Sequence, residues 1–351
     1  MNNCHLIETT LHGMRTLFFE NALLKVGILA DKGTDIFEFI HKPSQTDFMW
    51  KSRLGVRDPR SFVPTIPTKW GAFLDSYEGG WQDLFPNADE PCVYKGADLG
   101  LHGEVCLMPW EYSILNNDNE EIAVKFSVST YRTPFRLEKT IRLKAGRPVL
   151  EFEETVINEG QEEMDFMWGQ HPALGMPFLD ENCIISLPAC RIRSDGFLGS
   201  EISRIAPDQD AAWPLIKGKD GRVIDLRIVP SREANCNDRV FIYGYQDGWY
   251  AVTNKKKEVG FGMRWEKSVF PYILYWQSFG GWRGYPFYGT AYTMALEPRS
   301  SFPFPLSRVI ENNTQLVLGP GASLTINYQA IAYGSQREIR SINSDGSVEE
   351  Q

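Results

Sequence analysis

Apolar side chains recur at every second position along much of this 351-residue chain, and nothing in it sustains the 3.6-residue spacing of a long amphipathic helix. Ile122, Val124, Phe126 and Val128 alternate with small or polar residues, which reads as a strand with one buried face. Phe135 to Asn158 repeats the pattern around a Lys-Ala-Gly-Arg-Pro turn, giving a long hairpin. Leu24, Val26 and Ile28 lead through Asp31-Lys32-Gly33 into Ile36 to Ile40. Gln315 to Leu318 and Ser323 to Tyr333 flank Gly319-Pro320-Gly321 as a further strand-turn-strand. Half-buried strands separated by turns at short intervals cover their apolar faces by stacking two sheets, so the expected fold class is all-β, a large antiparallel β-sandwich. No linker divides the chain. Residues 1–335 are expected to form a single domain, with the polar stretch 336–351 as a poorly ordered tail.

Charge and composition narrow the function. The 36 basic and 45 acidic side chains leave a net charge of −9, and no basic cluster is visible to neutralise phosphates, so no nucleic-acid partner is expected. No apolar run approaches the roughly 20 residues that span a bilayer, and Met1 to Thr10 lacks the basic and apolar regions of an export signal. A cytoplasmic protein without a membrane partner is the expectation. The six cysteines contain no C-x-x-C pair and read as reduced, mostly structural thiols.

Only five histidines are present, and two sit where the backbone turns. His102 lies in Leu101-His102-Gly103-Glu104, and His171 in Gln170-His171-Pro172-Ala173-Leu174-Gly175. Gly and Pro around them place each imidazole on a loop or strand end that a ligand can reach. Glu297, in Leu296-Glu297-Pro298-Arg299, closes an apolar strand, where partial burial would raise its pKa toward the range of a general base; pairing with Arg299 at the surface is the plainer alternative. Pro59 to Pro109 is rich in Gly, Pro, Trp and Asp with little periodicity, as functional loops are, and residues 70–100 are expected to wall a cleft. Trp81 beside Gln82, and Trp276 near Gly280-Gly281-Trp282, offer flat apolar faces next to amides, which suits a pyranose ring.

In this order the motifs around His102, His171 and Glu297 resemble those of the galactose mutarotase-like superfamily, which includes the aldose 1-epimerases. The resemblance implies interconversion of sugar anomers, an isomerase activity. Glu297 would take the proton of the anomeric hydroxyl and a protonated His171 would give one to the ring oxygen, while His102 binds nearby hydroxyls. It implies no cofactor, no metal and a small carbohydrate as partner; a homodimer is a compatible assembly. Two positions depart from the family. Its sugar-binding arginine is replaced here by Gln82 or Trp81, and its sugar-binding Asp is best matched by Asp238, with Asp247 in reserve.

Other readings stay open on the sequence. A phosphosugar 1-epimerase would draw on Lys69, Arg264, Arg283 and Arg299. A metal site would use His102, Glu104 and His171, and a glycoside hydrolase would use carboxylates among Asp83, Glu104 and Glu297. A non-catalytic carbohydrate-binding protein would keep the cleft without turnover.

Overall fold

The computed structural model describes residues 3–61, 66, 68–194 and 202–351. Two antiparallel sheets dominate it, with twelve and eight strands among the described residues. The smaller sheet contains the alternating segments read above. Glu121–Ser129, Phe135–Lys144 and Val149–Asn158 pair consecutively, and Ser323–Tyr333 lies against Val149–Asn158. In the larger sheet Leu24–Leu29 pairs with Asp35–His41 as expected. Its centre runs in the order Trp81–Leu84, Gly169–Gly175, Tyr292–Arg299, Tyr272–Phe279, Cys236–Tyr243.

The sheets stack through aromatic side chains. Phe39 of the larger sheet meets Phe261 of the smaller edge to face, with ring centres 5.5 Å apart, and Trp81 meets Phe152 at 5.2 Å. Each such fully buried ring contributes roughly 1.5–3 kcal/mol of transfer free energy, so this layer supplies the cohesion. Alternation then dictates what the outer face of the larger sheet displays. In Tyr292–Arg299, Met294 and Leu296 enter the core, leaving Ala295, Glu297 and Arg299 on the other face.

Two local expectations differ from the structure. Leu316–Leu318 pairs with Met164–Phe166 and not with Ser323–Tyr333, so the Gly-Pro-Gly turn joins strands of different sheets. The C-terminal stretch forms a hairpin of Ile339–Ile342 and Val348–Glu350. A bulge between Ile339 and Ser341 offsets the alternation, and both Ile339 and Ile342 are buried against Val149, Trp249 and Tyr333. Two isoleucines among charged neighbours gave little local sign of this packing. No helix among the described residues is long and apolar enough to cross a membrane.

Candidate active site

The outer face of the larger sheet forms the floor of a cavity of about 280 Å³. His171, Glu297, Leu274, Trp276, Asn237 and Arg239 rise from four adjacent strands. Residues outside the sheet complete the walls: Phe73 of a short helix with Tyr77, Asp89 and His102, and Trp282 with Phe287. The aperiodic segment before Pro109 therefore does wall the cavity.

The pairing register brings the acid–base candidates together. Gly169 lies opposite Arg299 and Ala173 opposite Ala295, so His171 stands level with Glu297 on the same face. His171 Nε2 is 3.6 Å from Glu297 Oε1, and the Tyr77 hydroxyl is 3.5 Å from His171 Nδ1. The first separation is contact short of a hydrogen bond. The Trp276 ring centre lies 5.7 Å and that of His102 5.2 Å from the His171 ring.

His102 is held by a double bridge to Asp89. Its backbone N–H donates to the Asp89 carbonyl at 3.1 Å, and the Asp89 N–H donates to His102 Nδ1 at 3.1 Å. A donor facing Nδ1 fixes the neutral tautomer, so the ring proton sits on Nε2. The geometry requires a positive φ of 61° at His102, a costly conformation for a side-chain-bearing residue. Gly103 follows at φ 79°, and a Cβ there would lie 2.1 Å from the Phe85 carbonyl oxygen, so only glycine fits.

Arg299 organises the charges. Its guanidinium, fully buried, donates to both Asp89 and Glu297. Burial raises the Asp89 carboxyl, but Arg299 and then His102 outweigh it and leave Asp89 below its ordinary range. Burial pushes Glu297 up to about 8, against the pull of Arg299. Burial and the neighbouring His102 bring His171 down to about 3, and burial takes His102 to about 4. Burial thus favours neutral imidazoles and a protonated Glu297, opposite in direction to the Glu297 carboxylate and His171 imidazolium that the resemblance implies.

Four candidates fall elsewhere. Asp238 occupies the same strand as Asn237 and Arg239 but faces away from the cavity, because side chains alternate; it accepts from Ser203 Oγ at 3.0 Å and from Arg204 N and Nε, each at 2.7 Å. Asp247 is ion-paired with Arg264 at 2.6 Å, and is not a substitute. Trp81 belongs to the inter-sheet core, its Nε1 donating to Gln170 Oε1 at 2.7 Å. Gln82 pairs opposite His171, yet its amide is taken by the Gly79 carbonyl at 2.6 Å and Asp35 at 3.2 Å, and it is fully buried outside the cavity lining.

The competing constellations do not assemble. Glu104 accepts from the Tyr131 and Arg132 amides and faces a separate groove of about 600 Å³ on the other face of the short helix Gly71–Leu74, away from His171. Asp83 is ion-paired with Lys139 between the sheets. Lys69 pairs with Asp98, Arg283 bonds Asn235, and Arg264 and Arg299 are engaged as above, so the four cations do not converge. Reading by sequence missed Asp89, Tyr77, Asn237 and Arg239, and the alternative it weighed, a surface pairing of Glu297 with Arg299, forms in the buried interior. The Glu-Pro-Arg spacing was the available signal, since residues two apart in a strand share a face.

Comparison with known proteins agrees with this architecture. A candidate aldose 1-epimerase from Klebsiella pneumoniae superposes with a TM-score of 0.74 at 15% identity, over 94% of this chain and 84% of that one. A galactose mutarotase-like protein from Clostridium acetobutylicum gives 0.65 at 13% identity, over 95% and 100%. A galactose mutarotase related enzyme from Lactobacillus acidophilus gives 0.61 at 18%, over 93% and 100%. At such identities the likeness establishes the fold, which is galactose mutarotase-like, in a sequence that has diverged far from these structures. No curated protein matches the chain in sequence. Residues 11–330 match the family model described as a domain of unknown function, DUF4432, and the chain belongs to that family.

Proposed function

We propose that the protein is a sugar mutarotase, an aldose 1-epimerase-type isomerase that interconverts α and β anomers. The observation that supports this most is the contact of His171 Nε2 with Glu297 Oε1 at 3.6 Å in a cavity whose walls include the rings of Phe73, Tyr77, Trp276, Trp282 and Phe287. Anomer interconversion needs one acid and one base on a single hemiacetal. Between about pH 3 and about pH 8 the pair holds a single transferable proton, which is that inventory.

The base member takes the proton of the anomeric hydroxyl as the acid member delivers its own to the ring oxygen. The bond from C1 to the ring oxygen breaks and the free aldehyde forms. Rotation about C1–C2 and reclosure with both transfers reversed yields the other anomer and restores the pair. His171 and Glu297 can exchange the acid and base parts because they stand in contact. His102, neutral and donating from Nε2, is suited to hold a sugar oxygen, and Trp276 to pack on the apolar face of the ring. Arg299 and Asp89 act through Glu297 and His102 as positioning residues. Saturation-transfer NMR of anomer exchange, on a panel of sugars with Glu297→Gln as control, tests the proposal. Exchange accelerated by the wild type and lost in the variant is expected; no acceleration for any sugar would remove it.

A further inference from the structure

We propose that Arg239 makes the cavity selective for a sugar bearing a carboxylate, a hexuronate in place of a neutral hexose. This deepens the mutarotase reading of the same site and rests on it for the location of the sugar. Arg239 is half-buried in the cavity wall, and its guanidinium carbon lies 5.6 Å from the centre of the Phe304 ring. It is neither ion-paired nor hydrogen-bonded to any described residue. Arg299, the other guanidinium of the site, is consumed by Asp89 and Glu297. Arg239 lies within electrostatic reach of Asp89, Glu90, His102 and Glu297, and no carboxylate among the described residues is within ion-pair distance of it.

Position converts this into chemistry. Arg239 is the cross-strand partner of Trp276, and directly opposed side chains begin roughly 5 Å apart. Glu297 lies two strands away on the same face, ~9.5 Å laterally from the ordinary strand spacing. A pyranose packed on Trp276, with its anomeric centre toward Glu297, directs its C5 substituent toward Arg239 in one of its two stacking orientations. A guanidinium has donors only, in a fork that matches a carboxylate in two parallel hydrogen bonds, and partial desolvation strengthens the match. A phosphate dianion suits the site less, because one guanidinium half neutralises it and Glu90 repels it.

Binding, measured by ligand line broadening and calorimetry, tests this without depending on turnover. The ligands are glucuronate, galacturonate and mannuronate, their parent hexoses, glucuronamide as an uncharged isostere, and glucose 6-phosphate. In wild type at least one uronate is expected to bind ~10-fold or more tightly than its hexose and amide. Arg239→Gln should bring the ratio near one, and Arg239→Lys should retain part of it. Equal binding of uronates and hexoses in wild type, a preference that survives in folded Arg239→Gln, or tighter binding of glucose 6-phosphate would each overturn the proposal. Wild-type results decide the first and last arms even if a variant fails to fold. An Arg239-dependent uronate preference with no anomer exchange would keep this inference and remove the mutarotase reading. Exchange of neutral hexoses alone would do the opposite.

Discussion

Replacing Glu297 by Gln keeps the shape of the side chain and removes its exchangeable proton, and the structure sets both the size of the effect and its pH dependence. If Glu297 and His171 are the acid–base pair, loss of one member costs about 10²–10⁴ in rate, or roughly 3–5 kcal/mol of barrier. With the Glu297 pKa at about 8, about nine-tenths of the unligated sites carry the proton at pH 7 and about one-tenth at pH 9. Wild-type kcat/KM should therefore fall about tenfold between these values, and stay level from pH 7 down to about pH 4, where burial has moved the imidazoles. Anomer exchange by saturation-transfer NMR measures it, with the pH-dependent uncatalysed rate subtracted at each point. Linkage supplies a control for unfolding. The folded-state pKa of Glu297 is above its ordinary 4.5, so the folded protein binds this proton more tightly than the unfolded chain does. The corresponding stability is fully present below about 4.5 and is lost as pH rises through about 8. Glu297→Gln lacks this titration, and its stability should decline less than that of wild type over the same window, by on the order of a few kcal/mol. A wild-type rate level from pH 7 to 9.5, a fall centred near 6.5 in its place, or a folded Glu297→Gln protein with undiminished exchange would refute the reasoning.

Arg299→Met should destabilise the protein by about 3–5 kcal/mol in urea denaturation, because it leaves the Asp89 carboxylate buried without its cation and Glu297 without its hydrogen-bond donor; in the folded fraction the alkaline limb of the rate should move to higher pH. Gly103→Ala should cost at least about 2 kcal/mol in the same assay, from a side chain at φ 79° driven into the Phe85 carbonyl, and should slow exchange through displacement of His102. Arg239→Gln should leave the thermal transition within a few degrees of wild type, since among the described residues the guanidinium loses no ion pair or hydrogen bond and only its contact with the Phe304 ring, with loss of uronate preference as its readout.

Much of the sandwich was legible because its signal is local. Alternation in Phe135 to Asn158 and in Leu24 to Ile40 marks strands and the turns that join them, and the hairpins form where the turns predict. The turn at Gly319-Pro320-Gly321 was legible, but the partner of Leu316–Leu318 was not, since pairing across 150 residues leaves no mark in either segment. His102, His171, Glu297 and Trp276 could be nominated from their neighbours, and they line one cavity. Asp238 illustrates the limit, because it lies one residue from two that line the cavity and its own side chain points to the opposite face.

The amino-acid sequence by itself determined that this chain makes stacked antiparallel sheets, and it singled out two histidines and a carboxylate at strand ends and turns. Both follow from side-chain periodicity and from Gly and Pro, which act over a few residues. Tertiary structure alone decided which face of each strand meets the cavity, and so exchanged Asp238 for Asn237 and Arg239. It also joined Asp89 to Arg299 across 210 residues and buried Glu297, which raises its pKa. A strand has two faces until its neighbours cover one, and the pKa of a group depends on how completely its surroundings exclude water.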